Sequence, residues 1–151
     1  MFQLNLPHFN AKIIKKNGKT LIFDILRRKY VALTPEEFVR QHFINFLVVE
    51  KGFPAGRIAN EISICLNNTS KRCDTVVYDR YMQPLVVIEY KAPDVPLTEE
   101  VFNQIMRYNC VLRVKWLIIS NGISHYCFMI DYETIQYTFV NNIPNYDNIC
   151  K

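Results

Sequence analysis

The feature that most constrains this chain is an uninterrupted apolar run, Pro84-Leu85-Val86-Val87-Ile88. A run without alternating polar residues is typical of a strand that is buried on both faces of a sheet, and we predict a strand over residues 85–90. A helical pattern follows from near Thr98 to about Leu112, and residues 115–120 form a second buried strand. A strand–helix–strand crossover of this kind makes its two strands parallel.

Turn residues divide the rest of the chain into further strands. Asn17-Gly18 lies between apolar runs at 12–14 and 21–25, which is a strong signal for a hairpin. Turn-like segments at 67–70 and 79–84 are short, so the strands that they join are expected to pair antiparallel. The other strand candidates are residues 58–66, 73–78, 125–130 and 135–140.

The first helix is defined by its ends. Thr34 is a good N-cap, Pro35 suits the first helical position, and Glu37 has the spacing of a capping box with Thr34. Gly52 is the residue type that commonly ends a helix. The apolar stripe between these ends is formed by Phe38, Val39, Phe43, Phe46 and Leu47.

Length and composition limit the class of protein. The 151 residues are 50% hydrophobic and 21% charged, which is enough for one domain with a buried core. We therefore expect a single domain over residues 1–151, of the α/β class, with a mixed central sheet flanked by helices. The size excludes a motor or a multi-domain machine. No apolar run approaches the ~20 residues of a membrane span. Residues 1–9 lack a secretory signal, so we expect a cytoplasmic protein with no membrane partner.

Charge and cysteine content narrow the partners and the compartment. Eighteen Lys and Arg against fourteen Asp and Glu give a net charge of +4, which is compatible with a nucleic acid partner. The five cysteines are odd in number and form no C-x-x-C pair, so neither a disulfide framework nor a structural zinc site is predicted. Scattered thiols of this kind fit a reducing compartment.

Two acidic residues and a lysine are candidates for chemistry. Glu89 and Lys91 end the most buried strand and, two residues apart, project on one face of the sheet. If the preceding strand pairs with it antiparallel, Asp74 becomes a neighbour of Glu89. Two nearby carboxylates repel unless a cation lies between them, and Mg²⁺ is typically held by one or two carboxylates and water. Lys91 could then orient or deprotonate a water, which suits hydrolysis of a phosphodiester.

These residues also have plainer interpretations. Glu89 could form a salt bridge with Lys91 or Lys71 at the rim of the sheet. Gln104 and Tyr108 share one face of the second helix. Gln104 could hydrogen-bond a water or a phosphate near Lys91 with Tyr108 buttressing it, or the two could form an ordinary polar pair on the helix.

Several motifs occur together and in order, namely an acid in the first helix, Asp74, Glu89-Tyr90-Lys91 and Gln104-x-x-x-Tyr108. Together they resemble the PD-(D/E)xK nuclease superfamily. Within it, residues 30–130 resemble the N-terminal nuclease domain of type I restriction enzyme R (HsdR) subunits. The resemblance implies a restriction-endonuclease-like αβββαβ core, with an N-terminal hairpin and extra C-terminal strands. It also implies a Mg²⁺-dependent DNA endonuclease in which Mn²⁺ can substitute.

The resemblance also implies roles for individual residues. Asp74 and Glu89 would ligate the metal, helped by the backbone carbonyl of Tyr90. Lys91 would position the attacking water, and Gln104 and Tyr108 would match the extra Gln-x-x-x-Tyr motif of the family.

A third metal ligand is open. Glu37 is the candidate for the helix acid of the superfamily, although its spacing from Thr34 explains it equally well as a cap. Glu36 and Glu61 are the alternatives.

Partners and an alternative function are also open. Lys71, Arg72 and Arg107 flank the expected site and could hold DNA phosphates, as could residues 27–29, although charge runs are often solvated faces. No helicase motor accompanies the domain, so a separate helicase or restriction subunit is an expected partner, and a homodimer is plausible. The alternative is a catalytically silent nuclease-fold module that binds DNA or a partner.

Overall fold

Two β-sheets and the helices packed on them organise the chain. The computed structural model describes residues 3–66, 68–109 and 113–151. In these residues a three-stranded sheet precedes a six-stranded sheet in the sequence. The mixed α/β architecture expected from the sequence is confirmed.

The N-terminal sheet is an antiparallel meander. Its strands are β1 (Ile13–Lys16), β2 (Lys19–Asp24) and β3 (Lys29–Ala32). Asn17 and Gly18 both have positive φ, 52° and 75°, as the tight turn between β1 and β2 requires. The predicted hairpin is confirmed, whereas β3 was not predicted.

The larger sheet has its strands side by side in chain order. They are β4 (Ile58–Leu66), β5 (Thr69–Tyr78), β6 (Pro84–Tyr90), β7 (Trp116–Ser120), β8 (His125–Asp131) and β9 (Gln136–Val140). Among the pairs in the described residues, β6 and β7 are parallel and the others are antiparallel, which confirms the predicted crossover.

The predicted turns around β5 were too long. The β4–β5 ladder continues to Leu66 and Thr69, so residues 69 and 70 belong to a strand. Pro84 likewise begins β6, where it pairs with Tyr78 across a bulge. Both turns are shorter than predicted, because residues at their ends pair with the neighbouring strand.

The two predicted helices lie where the sequence indicated, one before β4 and the other between β6 and β7. The long helix α1 (Pro35–Lys51) begins after Thr34, whose Oγ1 accepts a hydrogen bond from the Glu37 N–H at 3.1 Å. It ends at Gly52, whose φ of 70° is left-handed, so both predicted ends are confirmed. The other α-helices in the described residues are α2 (Glu99–Asn109) and α3 (Tyr146–Ile149), and a short 3₁₀ helix spans Ala55–Arg57. The predicted end of α2 near Leu112 lies outside the described residues, and α3 was not predicted.

The two faces of the six-stranded sheet carry separate apolar cores. Val86 and Ile88 of β6 face α1, and Val87 between them faces α2. The core on the α1 side includes Val39, Phe43, Leu47 and Trp116. The core on the α2 side includes Ile105, Leu117, Ile119 and Ile130. Because both faces are covered, the polar residues at the end of β6 emerge at the rim of the sheet.

The thiols do not form disulfides in the described part of the chain. Cys65, Cys73, Cys127 and Cys150 are not joined to one another there, and Cys110 lies outside it. Burial raises the pKa of the Cys127 thiol to about 12, which suits a structural role. In the same residues, we find no helix with the length and hydrophobicity of a membrane span.

Candidate functional site

A cleft of about 350 Å³ opens at the end of β6. It is lined by residues of α1, α2 and the first three strands of the large sheet. Its acidic residues are Glu36, Glu37, Glu61, Asp74 and Glu89, and its cationic residues are Arg40 and Lys91. Carboxylates therefore outnumber cations five to two among the lining residues that the structure describes.

Strand register sets three of these acids side by side. Thr75 pairs with Ile88, so the next residue of each strand, Asp74 and Glu89, follows in the same antiparallel register. On the other side of β5, β4 pairs the two neighbours of Glu61 with the two neighbours of Asp74. Asp74 is thus the middle of three acids on adjacent strands.

Asp74 is held at its side chain and at its backbone. Its Oδ2 accepts a hydrogen bond from the Tyr90 N–H at 3.0 Å, which ties the carboxylate to the end of β6. Its carbonyl accepts a hydrogen bond from Arg40 Nη1 at 2.9 Å. Lys91 follows Tyr90, and its own N–H donates to the Ser120 carbonyl of β7 at 2.9 Å. The backbone on which these groups stand is therefore fixed from several directions.

Arg40 is the buried cation of the cleft, and the sequence did not identify it. Its Nε and Nη2 donate to the two oxygens of Glu37 at 2.7 and 2.6 Å, and its Nη1 donates to Glu61 Oε1 at 2.8 Å. Burial works against the charged guanidinium, but the bonds to Glu37 and Glu61 outweigh burial and raise the pKa of Arg40 above its usual value. The spacing of three from Glu37 on a helix was the available signal.

Glu37 is buried and surrounded by donors. Oε1 accepts hydrogen bonds from Arg27 and Arg40, and Oε2 accepts from Arg40 and Gln41. Each oxygen therefore already accepts two hydrogen bonds, and Glu37 would have to release one to bind a metal. Its role as a third ligand remains a prediction. Glu36, the neighbouring alternative, is exposed in the same cleft.

Glu61, the other alternative, bridges two arginines. Its second oxygen accepts a hydrogen bond from Arg72 Nε at 2.7 Å, beside the bond from Arg40. Burial opposes its charge, but the two arginines outweigh burial and lower the pKa of the carboxyl. Glu61 also has a φ of 56°, which is uncommon for a residue that is not glycine. Arg72 is consequently placed at the rim of the cleft.

The other residues predicted for the site do not line this cleft, or their side chains are not among those that the structure describes. Gln104 and Arg107 are exposed on α2 and line a separate surface depression with Glu99, Glu100 and Asn103. The side chains of Lys71 and Tyr108 are not among those that the structure describes. In the described residues, the acidic cleft therefore contains Asp74, Glu89, Lys91 and Glu37 but not Gln104.

The donors of the cleft bear on the expected magnesium site. In residues 3–66, 68–109 and 113–151, no group of three or more His, Cys, Asp and Glu side chains is arranged to hold a metal. Mg²⁺ keeps several waters and is usually bound through one or two carboxylates. The Asp74 and Glu89 carboxylates and the Tyr90 carbonyl are oxygen donors of the kind that it takes, so the donor chemistry fits.

The fold and the site together define a class: a mixed α/β domain with an acidic, lysine-bearing cleft at the end of a central strand. A family model described as type I restriction enzyme R protein N terminus matches residues 35–144. The chain therefore belongs to this family, which confirms the resemblance seen in the sequence.

One solved structure is similar in fold. It is the fragment structure of a putative HsdR subunit of a type I restriction enzyme from Vibrio vulnificus YJ016, with a TM-score of 0.54 and 21% sequence identity. The similarity covers 78% of this chain and 24% of that chain, so the matched part is about a quarter of the longer protein. Among curated proteins, no match was found.

Proposed function

We propose that this domain is a Mg²⁺-dependent DNA endonuclease of the restriction-endonuclease type, in which Mn²⁺ can substitute. The observation that carries the proposal is the meeting of Asp74, Glu89 and Lys91 in one cleft at the end of β6. The order of α1, β4, β5, β6, α2 and β7 along the chain supports a proposed αβββαβ core of this type. Membership of the restriction enzyme R protein family supports DNA as the substrate.

Asp74 and Glu89 would hold the metal, with the carbonyl of Tyr90 as a further donor. Carboxylates outnumber cations in the cleft, and a bound divalent cation would reduce the resulting negative charge. When bound, Mg²⁺ would stabilise negative charge on the phosphate and make a bound water more acidic.

The chain's own residues have separate tasks in this proposal. The Lys91 ammonium would orient the attacking water and donate to a phosphate oxygen, since it is a compact charge with three donors. The Tyr90 N–H holds the Asp74 carboxylate in place. Arg40 neutralises the nearby acids Glu37 and Glu61, which reduces their electrostatic repulsion of Asp74 and Glu89.

Cleavage by the purified protein tests the proposal. Plasmid, linear duplex and single-stranded DNA are incubated with Mg²⁺ or Mn²⁺. We expect cleavage by the wild type and loss of at least about 100-fold in Glu89→Gln and Lys91→Ala, as removal of a group that acts on the reacting water typically costs. Glu50→Gln, which removes an exposed carboxylate at the end of α1, is the matched control and should cleave normally.

Metal binding gives a second measurement. Calorimetric titration with Mn²⁺ should show binding that is lost in Glu89→Gln and retained in Glu50→Gln. No cleavage above the Lys91→Ala background on any DNA would refute the catalytic proposal. DNA binding without turnover would favour the silent binding module instead.

Subunit association is part of the same proposal. The matched part is about a quarter of a chain described as a putative subunit of a type I restriction enzyme. We expect a separate helicase or restriction subunit as the partner, which co-purification of this protein with subunits of a type I restriction enzyme would detect.

A further inference from the structure

The positive charge of the chain is concentrated near its N-terminus. Seven of the eighteen cationic residues, but one of the fourteen acidic residues, lie between Lys12 and Lys29. The rest of the chain consequently carries eleven cations against thirteen acids. The one acid in the segment, Asp24, is fully buried. The surface of the N-terminal sheet is therefore strongly basic, while the remainder of the protein is slightly acidic.

Strand register sorts these residues onto the two faces of the N-terminal sheet. Ile22 is fully buried and pairs with Ile13 and Val31, which identifies the inner face. The residues of the alternate positions form the outer face, because side chains alternate along a strand. This outer face carries Lys12, Ile14, Lys16, Lys19, Leu21, Phe23 and Tyr30.

Two aromatic rings lie beside Lys12 on the outer face, at the end of the sheet away from the first hairpin turn. The rings of Phe23 and Tyr30 pack edge to face at 5.2 Å, and the Lys12 ammonium lies 5.6 Å from the centre of the Phe23 ring. Tyr30 is 40% exposed. Surfaces that bind nucleic acid combine cations for the phosphates with exposed rings in this way. Lys16 and Lys19 face each other across the first hairpin and extend the charge to its tip.

The N-terminal sheet is fixed beside the acidic cleft. Asp24 accepts hydrogen bonds from Arg27 Nε at 2.6 Å and from Asn60 Nδ2 of β4 at 2.9 Å. Burial opposes its charge, but the bonds from Arg27 and Asn60 prevail and keep the pKa of Asp24 below its usual value. Arg27 also donates to Glu37 in the cleft. A ligand on the outer face would therefore be held at a defined position relative to the cleft.

We propose that the outer face of the N-terminal sheet, defined by Lys12, Lys16, Lys19, Phe23 and Tyr30, binds the phosphate backbone of DNA. The choice of DNA rests on the proposed function. The surface lies outside residues 35–144, to which the family model applies, so family membership does not account for it. It is also distinct from the cations at 71, 72 and 107 that the sequence indicated.

Salt-dependent DNA binding tests the proposal. A labelled duplex is titrated with the protein in EDTA, followed by fluorescence anisotropy at several salt concentrations. The variant Lys12→Gln/Lys16→Gln/Lys19→Gln should bind at least about tenfold more weakly at low salt. Its slope of log affinity against log salt should fall by about 2–3, since each lost phosphate contact contributes about 0.9.

A matched variant separates this surface from net charge. Lys51→Gln/Lys115→Gln/Lys151→Gln removes the same charge at positions outside the N-terminal sheet. It should keep most of the affinity and slope, and both variants should unfold at the wild-type temperature. Equal losses in the two variants would overturn the proposal, as would an unchanged slope in the first.

The binding measurement is independent of catalysis because EDTA removes divalent metal. A wild type that binds through this face but never cleaves would leave the inference standing and refute the endonuclease. If the wild type cleaves DNA but the first triple variant binds DNA normally, the inference is overturned and the endonuclease proposal stands.

Discussion

Arg40 is the residue on which the acidic cleft most depends. Arg40 is 7% exposed, and its guanidinium is the shared partner of Glu37 and Glu61. It also holds the backbone of Asp74. Removing one partner of a buried ion pair leaves a charge without compensation, which costs more than the pair itself is worth.

At the residue scale, we therefore expect Arg40→Met to lower the free energy of unfolding by about 3–5 kcal/mol, measured by urea denaturation. Arg72→Met removes the exposed partner of the same Glu61 and should cost about 1 kcal/mol or less. If the two variants lose similar amounts of unfolding free energy, burial does not make the ion pairs of Arg40 more important to stability than that of Arg72.

Local spacing explains which site residues the sequence could indicate. Asp74 and Glu89 stand in strands whose burial is visible in the apolar pattern, and Lys91 directly follows one of them, so their polar character is conspicuous. The contact of Arg40 with Glu61 joins residues 21 apart and depends on tertiary packing. No periodicity in the sequence reports such a contact.

At the element scale, α1 is specified by its two ends. Gly52 has a φ of 70°, and no neighbouring group lies within 4 Å of the position that a Cβ would take. A side chain at this position would therefore strain the backbone without clashing with other residues. We expect Gly52→Ala to cost about 1–2 kcal/mol in thermal unfolding, because a residue with a Cβ is strained in a left-handed conformation. Gly56→Ala has open space and no positive φ. It should be neutral or slightly stabilising, and an equal loss there would contradict this account.

The elements that the sequence did not predict are short ones. β3 has four residues and begins within the cationic run 27–29, which looks like a solvated loop. Its place is set by pairing with β2, with Ile22 opposite Val31. α3 is a single turn and too short for any periodicity to show. By contrast, β6, β7 and the capped α1 were predicted with nearly correct bounds, because an unbroken apolar run or a pair of helix ends marks each of them in the sequence.

At the scale of the whole molecule, two histidines make stability depend on pH. Burial lowers the pKa of His42 and of His125 below the ordinary value of 6.5. The unfolded chain then takes up protons first as the pH falls. The stabilising contribution is complete above pH 6.5 and is lost as the pH falls through the lowered values in the folded state.

We therefore expect the unfolding temperature to fall as the pH is lowered from about 7.5 to about 5, and the fall to be smaller in His42→Asn/His125→Asn. Thermal melts across this range measure both slopes. Parallel slopes in the double variant and the wild type would exclude these histidines as the source.

The ion pairs of the cleft also form a sequence of alternating sign, Arg27, Glu37, Arg40, Glu61 and Arg72, that reaches from the N-terminal sheet to β5. Every interior member touches two opposite charges, so neutralising any one of them removes a partner from both of its neighbours. An engineer who wishes to recharge this region would have to swap residues two at a time, one acid with one base.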